Sequence, residues 1–423
     1  MSDVKPARAS VRTLVAGAVP ALLIGIGSAV TLRIIDLLSD QVNALWWTTL
    51  PHLFGATNTT PWWIFTVLTI TGALIGLVVW LVPGHGGFDS AVTELDGPFP
   101  KLTALPSLAL VLVLSLAGGV SLGPENPIIA INAALAIALI SRLTTRMPAP
   151  LLALLALSGT LGALFGTPVA AALLFTGVVA GTNLPGSLWD KLFFPLVAAA
   201  AGSITMLMLG GNILAFKMAD TGPFQPIWLL TGFVVAAAAA VIAIAMAWVF
   251  PFVHRVFHSL RNPFLFTLLG GAILGVLGML GGPITLFKGA DQTIELLQHP
   301  SDYSITQLAS FAGIKILALL VAASAGFRGG RIFPAVFIGA ALGLLAASLI
   351  PGMPVALAVA SSLMGVMLVV GRDGWLAIFV AVALTGDVNL LTVLCVIIIP
   401  VWLIVTKAPE MVVKVKNPAK EFA

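Results

Sequence analysis

The stretch Gly118-Gly-Val-Ser-Leu-Gly-Pro-Glu-Asn-Pro127 sits where one apolar run, 102–122, gives way to another, 128–140. It contains the sole carboxylate between Asp96 and Asp190. Proline belongs in the first turn of a helix, where its missing N–H costs nothing. The spacing therefore predicts a helix that starts at about Pro124, with Glu125 in its positive end. An ionisable residue inside an apolar neighbourhood points to function, because burying it in a bilayer is costly. Glutamate also favours a first turn for capping alone, so that reading stands beside the functional one.

Around this stretch the chain is that of a membrane protein. Of 423 residues, 59% are hydrophobic and 9% charged, against roughly 25% charged in soluble domains. The mean hydropathy is +1.11. A soluble enzyme, a disordered chain and a nucleic-acid binder are excluded. The pI is about 9.4, but a net charge of +4 supplies too few cations to track phosphates. At about 20 residues per span, the length holds roughly ten to fourteen membrane segments. Cys395 is the single cysteine, so neither an intrachain disulfide nor a thiolate metal site is expected. His52, His85, His254, His258 and His299 are read as lacking metal-ligand spacing, and the Walker A and GxSxG patterns are absent. No metal and no cofactor are expected.

Lys5, Arg8 and Arg12 precede the first apolar run, Leu14 to Leu32, and Lys407, Lys414, Lys416 and Lys420 follow the last. Basic ends at the membrane edge predict that both termini are cytoplasmic and that the number of crossings is even. Between them lie apolar runs near 62–82, 102–122, 128–140, 149–181, 188–209, 227–253, 263–282, 306–325, 332–350, 353–370 and 375–405. Some are too short for one span, and 149–181 must hold two. Their uneven lengths, with interior Gly and Pro, predict tilted, broken and re-entrant helices. Trp46, Trp47, Trp62 and Trp63 bracket the polar loop 51–60 and read as interfacial anchors.

The chain also repeats itself. Gly72-Ala-Leu-Ile-Gly-Leu resembles Gly271-Ala-Ile-Leu-Gly-Val, an offset of 271 − 72 = 199. Gly123-Pro-Glu-Asn-Pro127 and Gly330-Arg-Ile-Phe-Pro334 share GxxxP at an offset of 330 − 123 = 207. The same offset sets Gly166-Thr-Pro-Val-Ala on Asp373-Gly-Trp-Leu-Ala. Three matches in order predict one membrane domain, 1–423, built from two inverted repeats, 14–209 and 227–405. A short cytoplasmic tail, 406–423, would follow. Such folds put a binding site near the midplane at half-helix ends.

Two further segments bear on that site. Pro83-Gly-His-Gly-Gly-Phe88 exposes backbone N–H groups and, if a helix starts there, favours an anion; a flexible loop is the other reading. Ala325-Gly-Phe-Arg-Gly-Gly-Arg-Ile-Phe-Pro334 leads into a helix starting around Arg331–Pro334. Arg328 and Arg331 either attract anions or snorkel to an interface. Lys288 and Lys315 lie near or in apolar runs with no assigned role. Glycine-rich helix starts with one carboxylate among them suit an anion, because a cation site would need more carboxylates and helix C-terminal carbonyls.

At these residues the sequence resembles the CLC family of chloride channels and chloride/proton antiporters over nearly its whole length. It is nearest to a bacterial branch named only as ion-transport proteins. The family's Gly-Ser-Gly-Ile-Pro segment corresponds to Gly84-His85-Gly86-Gly87-Phe88. Its Gly-Arg-Glu-Gly-Pro corresponds to Gly123-Pro124-Glu125-Asn126-Pro127, the most specific match. Its Gly-Gly-x-Phe-x-Pro corresponds to Gly329-Gly330-Arg331-Ile332-Phe333-Pro334. The resemblance implies an all-α polytopic fold of two inverted repeats and a homodimer with one pore per subunit. It makes Glu125 the gating and proton-binding residue. His85, which takes the place of an anion-coordinating serine, would line the anion path with the backbone at Gly86, Glu125, Asn126, Ile332 and Phe333. Gly84, Gly123, Gly329 and Gly330 would line the pore, with Arg331 as a further candidate. The antiporters' inner glutamate falls near Gly177 or Val178, so no carboxylate is available there. The pore tyrosine is vacant, since Tyr303 is the one tyrosine and lies in a polar loop; Met411 is the nearest positional replacement.

The expectation is a multi-pass protein of a bacterial inner membrane and not an enzyme. It would pass chloride or another small inorganic anion and be channel-like or weakly proton-coupled. Its partners would be the anion, protons, the lipid bilayer and a second copy of the chain. The alternative is a proton-coupled antiporter or exporter for fluoride or nitrate that uses His85 as the proton carrier. A membrane-embedded enzyme would need a titratable cluster; His85, Asp89 and Glu94 are close in sequence but form no catalytic spacing.

Overall fold

The computed structural model describes residues 11–92, 99–143, 147–180, 187–211, 216, 218 and 221–413. The described residues are helical, with one isolated antiparallel bridge between Gly123 and Gly330 and no strand among them. The helices are α1 Val11–Ala44, α2 Leu50–Leu53, α3 Pro61–Leu81, α4 Leu105–Ala117, α5 Glu125–Leu143, α6 Ala149–Phe165, α7 Val169–Ala180 and α8 Leu188–Met208. They continue with α9 Ile227–His258, α10 Pro263–Gly281, α11 Ala290–Gln298, α12 Ile305–Ser324, α13 Ile332–Leu349, α14 Val355–Val370, α15 Gly374–Thr385 and α16 Leu390–Val405.

Among the described residues, seven helical stretches are long and apolar enough to cross a membrane, accompanied by shorter apolar helices such as Ala149–Phe165 and Val355–Val370. This is an all-α, multi-pass membrane protein. The run 149–181 divides into α6 and α7, as its length requires. Gly166, with φ +67, ends α6 and Thr167-Pro168 separates the two helices. The run 375–405 also divides, at Gly386 (φ +67), which ends α15.

The chain forms two compact units. The first contains Met1–Leu37, Phe99–Leu102 and Ile128–Ala215. In it α6 packs on α8, and small residues such as Ala133, Ala136, Ala153, Ala156 and Ala198 form the core with Leu152 and Leu155. Asn132 Nδ2 is satisfied by Thr160 Oγ1 at 2.8 Å and by the Ser28 carbonyl at 3.3 Å. The second unit contains Leu38–Pro98, Thr103–Pro127 and Phe216–Ala423. Here α3 lies directly against α10: a Cβ on Gly72 would stand 2.9 Å from the Gly271 Cα, and one on Gly271 would stand 2.9 Å from the Gly72 Cα. The sequence match at offset 199 is thus also a contact. Around this pair α12 packs on α13, α13 on α14, and α14 on α9. The units do not follow the two repeats, since the second holds both GxxxP segments.

One expectation changes. Trp47 and Trp63 are buried rather than at an interface, and they brace the chain: Trp47 Nε1 donates to the Ala117 carbonyl at 2.8 Å, and Trp63 Nε1 to the Trp46 carbonyl at 2.9 Å. Trp62 remains exposed. After α16 the chain does not leave the body at once. Arg372 donates to the Val405 and Ala408 carbonyls, and the Val413 N–H donates to the Ala91 carbonyl at 2.8 Å. Lys5, Arg8, Lys414, Lys416 and Lys420 lie outside the described residues.

Candidate functional site

The site is assembled within the second unit, where residues 123 and 330 meet. The Gly123 N–H donates to the Gly330 carbonyl at 2.8 Å, and the Gly330 N–H returns to the Gly123 carbonyl at 2.7 Å. This reciprocal pair joins the residues that precede two helix starts, α5 at Glu125 and α13 at Ile332. Both starts fall within a residue or two of where the prolines place them.

Glu125 is fully buried. Its Oε1 accepts from the Phe333 N–H at 3.0 Å, in the first turn of α13. Its Oε2 is buried without a hydrogen-bond partner among the described residues. The two bridging glycines make room for that oxygen: a Cβ on Gly330 would lie 2.0 Å from Oε2, and one on Gly123 would lie 2.2 Å from it. One carboxylate oxygen therefore rests on the amide end of a facing helix. The positive end of a helix dipole favours such an anion.

Ser90 holds this arrangement from the side. The Gly329 N–H donates to Ser90 Oγ at 2.7 Å, and Arg331 Nη2 donates to the Ser90 carbonyl at 2.8 Å. Arg331 also lies over the Phe250 ring, 5.6 Å from its centroid. Arg328 Nη1 donates to the Gly326 carbonyl at 2.9 Å and approaches Asp89 Oδ1 at 3.7 Å. Both guanidinium groups are thus buried and internally engaged, which overturns the snorkelling alternative. Ile332 and Phe333 are buried beside Glu125, while Asn126 is half-buried.

The sequence reading left Lys288 and Lys315 without roles. Lys288 Nζ lies over the Phe333 ring, 5.7 Å from its centroid, and acts electrostatically on Glu125. Lys315 is fully buried in α12; its Nζ donates to the carbonyls of Thr285, Leu286 and Phe287 at 3.0, 3.0 and 2.8 Å. Its three donors close the turn that delivers Lys288. An isolated lysine in an apolar run was the available signal, but its carbonyl partners are some 30 residues away in sequence.

Of the two readings of the first glycine-rich segment, the structure takes the loop and not the helix start. Residues 83–92 form turns, and Gly84, His85, Gly86 and Gly87 have φ values of +90, +49, +66 and +72. Four left-handed residues in a row preclude a right-handed helix start. Their amides turn inward: His85 N donates to the Val82 carbonyl, Gly86 N to Ser107 Oγ at 3.3 Å, and Gly87 N to the Gly84 carbonyl. Ser107 Oγ donates onward to the Ala104 carbonyl. The His85 ring is exposed, with Nδ1 2.8 Å from the Val79 carbonyl. No contact joins His85 or Gly86 to Glu125 among the described residues. Met411 is buried two residues before Val413, on the stretch that reaches Ala91. Gly177 and Val178 belong to α7, but their side chains lie outside the described residues.

The profile of a family described as voltage gated chloride channel matches residues 71–403. A protein of Escherichia fergusonii named "Putative ion-transport protein YfeO" is 42% identical over 403 residues, 95% of this chain and 96% of its own length. The Escherichia coli O6:H1 protein of the same name is 43% identical over 404 residues, with the same coverage. Among solved structures, a slow cyanobacterial Cl−/H+ antiporter gives a TM-score of 0.76 at 18% identity, covering 93% of this chain and 95% of that one. A CLC-type fluoride/proton antiporter gives 0.73 at 18% identity, covering 96% and 98%. At such identity these two speak for the fold.

Proposed function

Because this chain belongs to the voltage-gated chloride channel (CLC) family of anion transport proteins, we propose that it carries chloride or another small inorganic anion along a path gated by Glu125. The observation that supports this most is the Glu125 carboxylate on the Phe333 N–H, with Oε2 lodged between Gly123 and Gly330. A carboxylate held by helix amides occupies the place an anion would take. Protonation removes its charge and weakens its hold, and the anion then takes the amides. Asn126, Ile332, Phe333 and the glycines at 123, 329 and 330 line this outer part of the path. Lys288 draws anions toward it, and Arg331 keeps the α13 entrance in place. Met411, His85 and Gly86 border the path beyond. The protein acts as a transporter rather than an enzyme.

We take the path to be channel-like or weakly proton-coupled, because no carboxylate stands at the Gly177–Val178 position. The protein works as a homodimer in a bacterial inner membrane, with both termini cytoplasmic. Its two inverted repeats meet at equivalent positions, as the Gly72–Gly271 and Gly123–Gly330 contacts suggest. A second reading, proton-coupled exchange of chloride, fluoride or nitrate, draws on His85. With Nδ1 engaged by the Val79 carbonyl and the ring exposed, Nε2 is available to take a proton.

The deciding experiment follows anion efflux and internal pH together in liposomes of purified protein. Anion efflux without uphill proton movement is expected. Uphill proton movement that disappears in His85→Ala would establish the second reading. Absence of any protein-dependent anion flux would defeat both.

A further inference from the structure

The turn that joins α10 to α11 closes on a buried charge. Thr285, Leu286 and Phe287 offer three consecutive backbone carbonyls to one ammonium, Lys315 Nζ on α12, at 3.0, 3.0 and 2.8 Å. An ammonium has three N–H donors, and these carbonyls use all of them. Nζ also lies over the Phe337 ring on α13, 5.2 Å from its centroid. Lys315 is fully buried. A buried charge needs hydrogen-bonded partners, so moving the turn away would leave that charge uncompensated.

The backbone of the turn needs such a hold. Phe287 has φ +58 and Gly289 φ +96. A bulky residue in the left-handed region is unfavourable and persists where its surroundings over-determine it. Here they do. The Phe287 N–H donates to the Gly119 carbonyl at 3.0 Å, its ring meets the Trp47 edge at 5.3 Å, and its carbonyl accepts from Lys315. Trp47 in turn donates to the Ala117 carbonyl at 2.8 Å. The turn is thus tied both to α12 and to the segment that leads to Glu125.

The next residue is Lys288. The Phe287 carbonyl belongs to the peptide that joins 287 to 288, so Lys315 fixes the plane from which Lys288 departs. Lys288 is half-buried, with Nζ 5.7 Å from the centroid of the Phe333 ring. The Phe333 N–H is the group that holds Glu125 Oε1, and the Lys288 charge acts on Glu125. An anion that displaces the carboxylate from this amide stands in the same field. The ammonium of Lys315, by contrast, is filled by carbonyls, so it acts through the turn.

We propose that Lys288 sets the affinity of the path for its anion, and that Lys315 is the positioning residue that holds Lys288 in place. The inference rests on the reading of Glu125 as the gate of an anion path. One buried lysine therefore orients a second, half-buried one toward the amide that carboxylate and anion share.

The test measures chloride flux against chloride concentration in liposomes of full-length Glu125→Gln protein, where no carboxylate competes for the amide. An impermeant anion keeps ionic strength constant, because salt screens the attraction. Lys288→Met should raise the half-saturating chloride concentration roughly two- to fivefold, and Lys288→Arg, which keeps the charge, should bring it back to within about twofold. Lys315→Gln should raise it by a similar factor, yet add little once Lys288→Met is present. A merely structural role would lower thermal stability and leave half-saturation where it was. Should Lys315→Gln fail to fold, Gly289→Ala takes its place. A Cβ there would stand 3.1 Å from Phe337 Cβ and 3.3 Å from Lys315 Cε, so it pushes the turn off the ammonium while both lysines remain; the same rise is expected. Half-saturation unmoved by Lys288→Met overturns the inference. Half-saturation moved by Lys288→Met but not by Lys315→Gln or Gly289→Ala overturns the positioning role. No flux from Glu125→Gln protein overturns the function proposed above, and this inference with it.

Discussion

Two glycine-rich segments of this chain look alike on paper and behave differently. Gly118–Pro127 and Pro83–Phe88 both follow an apolar run and both carry several glycines. In the first, proline and glutamate start a helix, and the glycine at 123 pairs with Gly330 so that a buried carboxylate fits beside them. In the second, four residues in a row are left-handed, and the amides of His85, Gly86 and Gly87 turn inward onto Val82, Ser107 and Gly84. Glycine makes close approach possible, but what stands next to it decides which groups approach. Glu125 meets a helix amide, whereas His85 points back toward α3.

Replacing Glu125 by Gln should break this contrast most. It removes the charge held by the Phe333 N–H, in a charge-assisted bond of about 1.5–3 kcal/mol. Resting anion flux should rise roughly tenfold or more, and its increase on acidification should vanish. Liposome efflux across a pH series measures both. Unchanged flux with unchanged pH dependence would remove Glu125 from the gate.

Gly330→Ala tests the cradle while leaving the charge in place. Gly330 does not have a left-handed φ, so alanine is compatible with its backbone. The new Cβ, 2.0 Å from Oε2, forces the carboxylate off its perch. An off-rotamer side chain costs about 0.5–1.5 kcal/mol, so resting flux should rise several-fold, by roughly two to ten times. The pH dependence should persist, because the carboxyl still titrates. A wild-type resting flux in this variant would mean that the cradle does not hold the gate shut.

The same contrast marks how much was legible beforehand. The GxxxP pairs were readable because proline and glycine act locally, and their offset of 207 pairs Gly123 with the glycine that it touches. The helix starts at 125 and 332 followed from the same local rules. Lys288, Lys315 and Ser107 were not readable as partners, because what they contact is set by packing. Lys315 reaches carbonyls of residues 285–287, and no periodicity encodes that. The tryptophans erred in the opposite direction. Their spacing suits an interface, yet Trp47 and Trp63 are buried because backbone carbonyls there need donors.

His85→Ala sharpens the comparison from the weaker side. The ring is exposed, and its Nδ1 is engaged by a local carbonyl, that of Val79. The change should shift flux and the ranking of chloride, fluoride and nitrate by no more than about 0.5 kcal/mol, or roughly twofold. A reversal of anion preference would show that this turn, and not the Glu125 cradle alone, reads the ion.

A carboxylate away from both segments supplies the reference, with the smallest expected effect on transport. Asp387, between α15 and α16, is buried, and burial works to raise its carboxyl. Donation from the Thr221 hydroxyl at 2.7 Å, the Thr221 N–H at 2.9 Å and the Asn389 N–H at 2.9 Å outweighs burial and holds the carboxyl below its ordinary range. A lowered folded value stabilises the protein at pH above the ordinary carboxylate range, and this contribution is lost as pH falls through the folded value. Asp387→Asn should therefore lower thermal stability at neutral pH by about 1–3 kcal/mol and flatten its loss in acid, with flux per folded protein unchanged. Glu125→Gln should show the opposite pattern, with altered flux and its pH dependence but little change in acid stability. If the two variants instead behave alike, the pH dependence of flux reflects acid loosening of the fold, and Glu125 is a capping carboxylate rather than a gate.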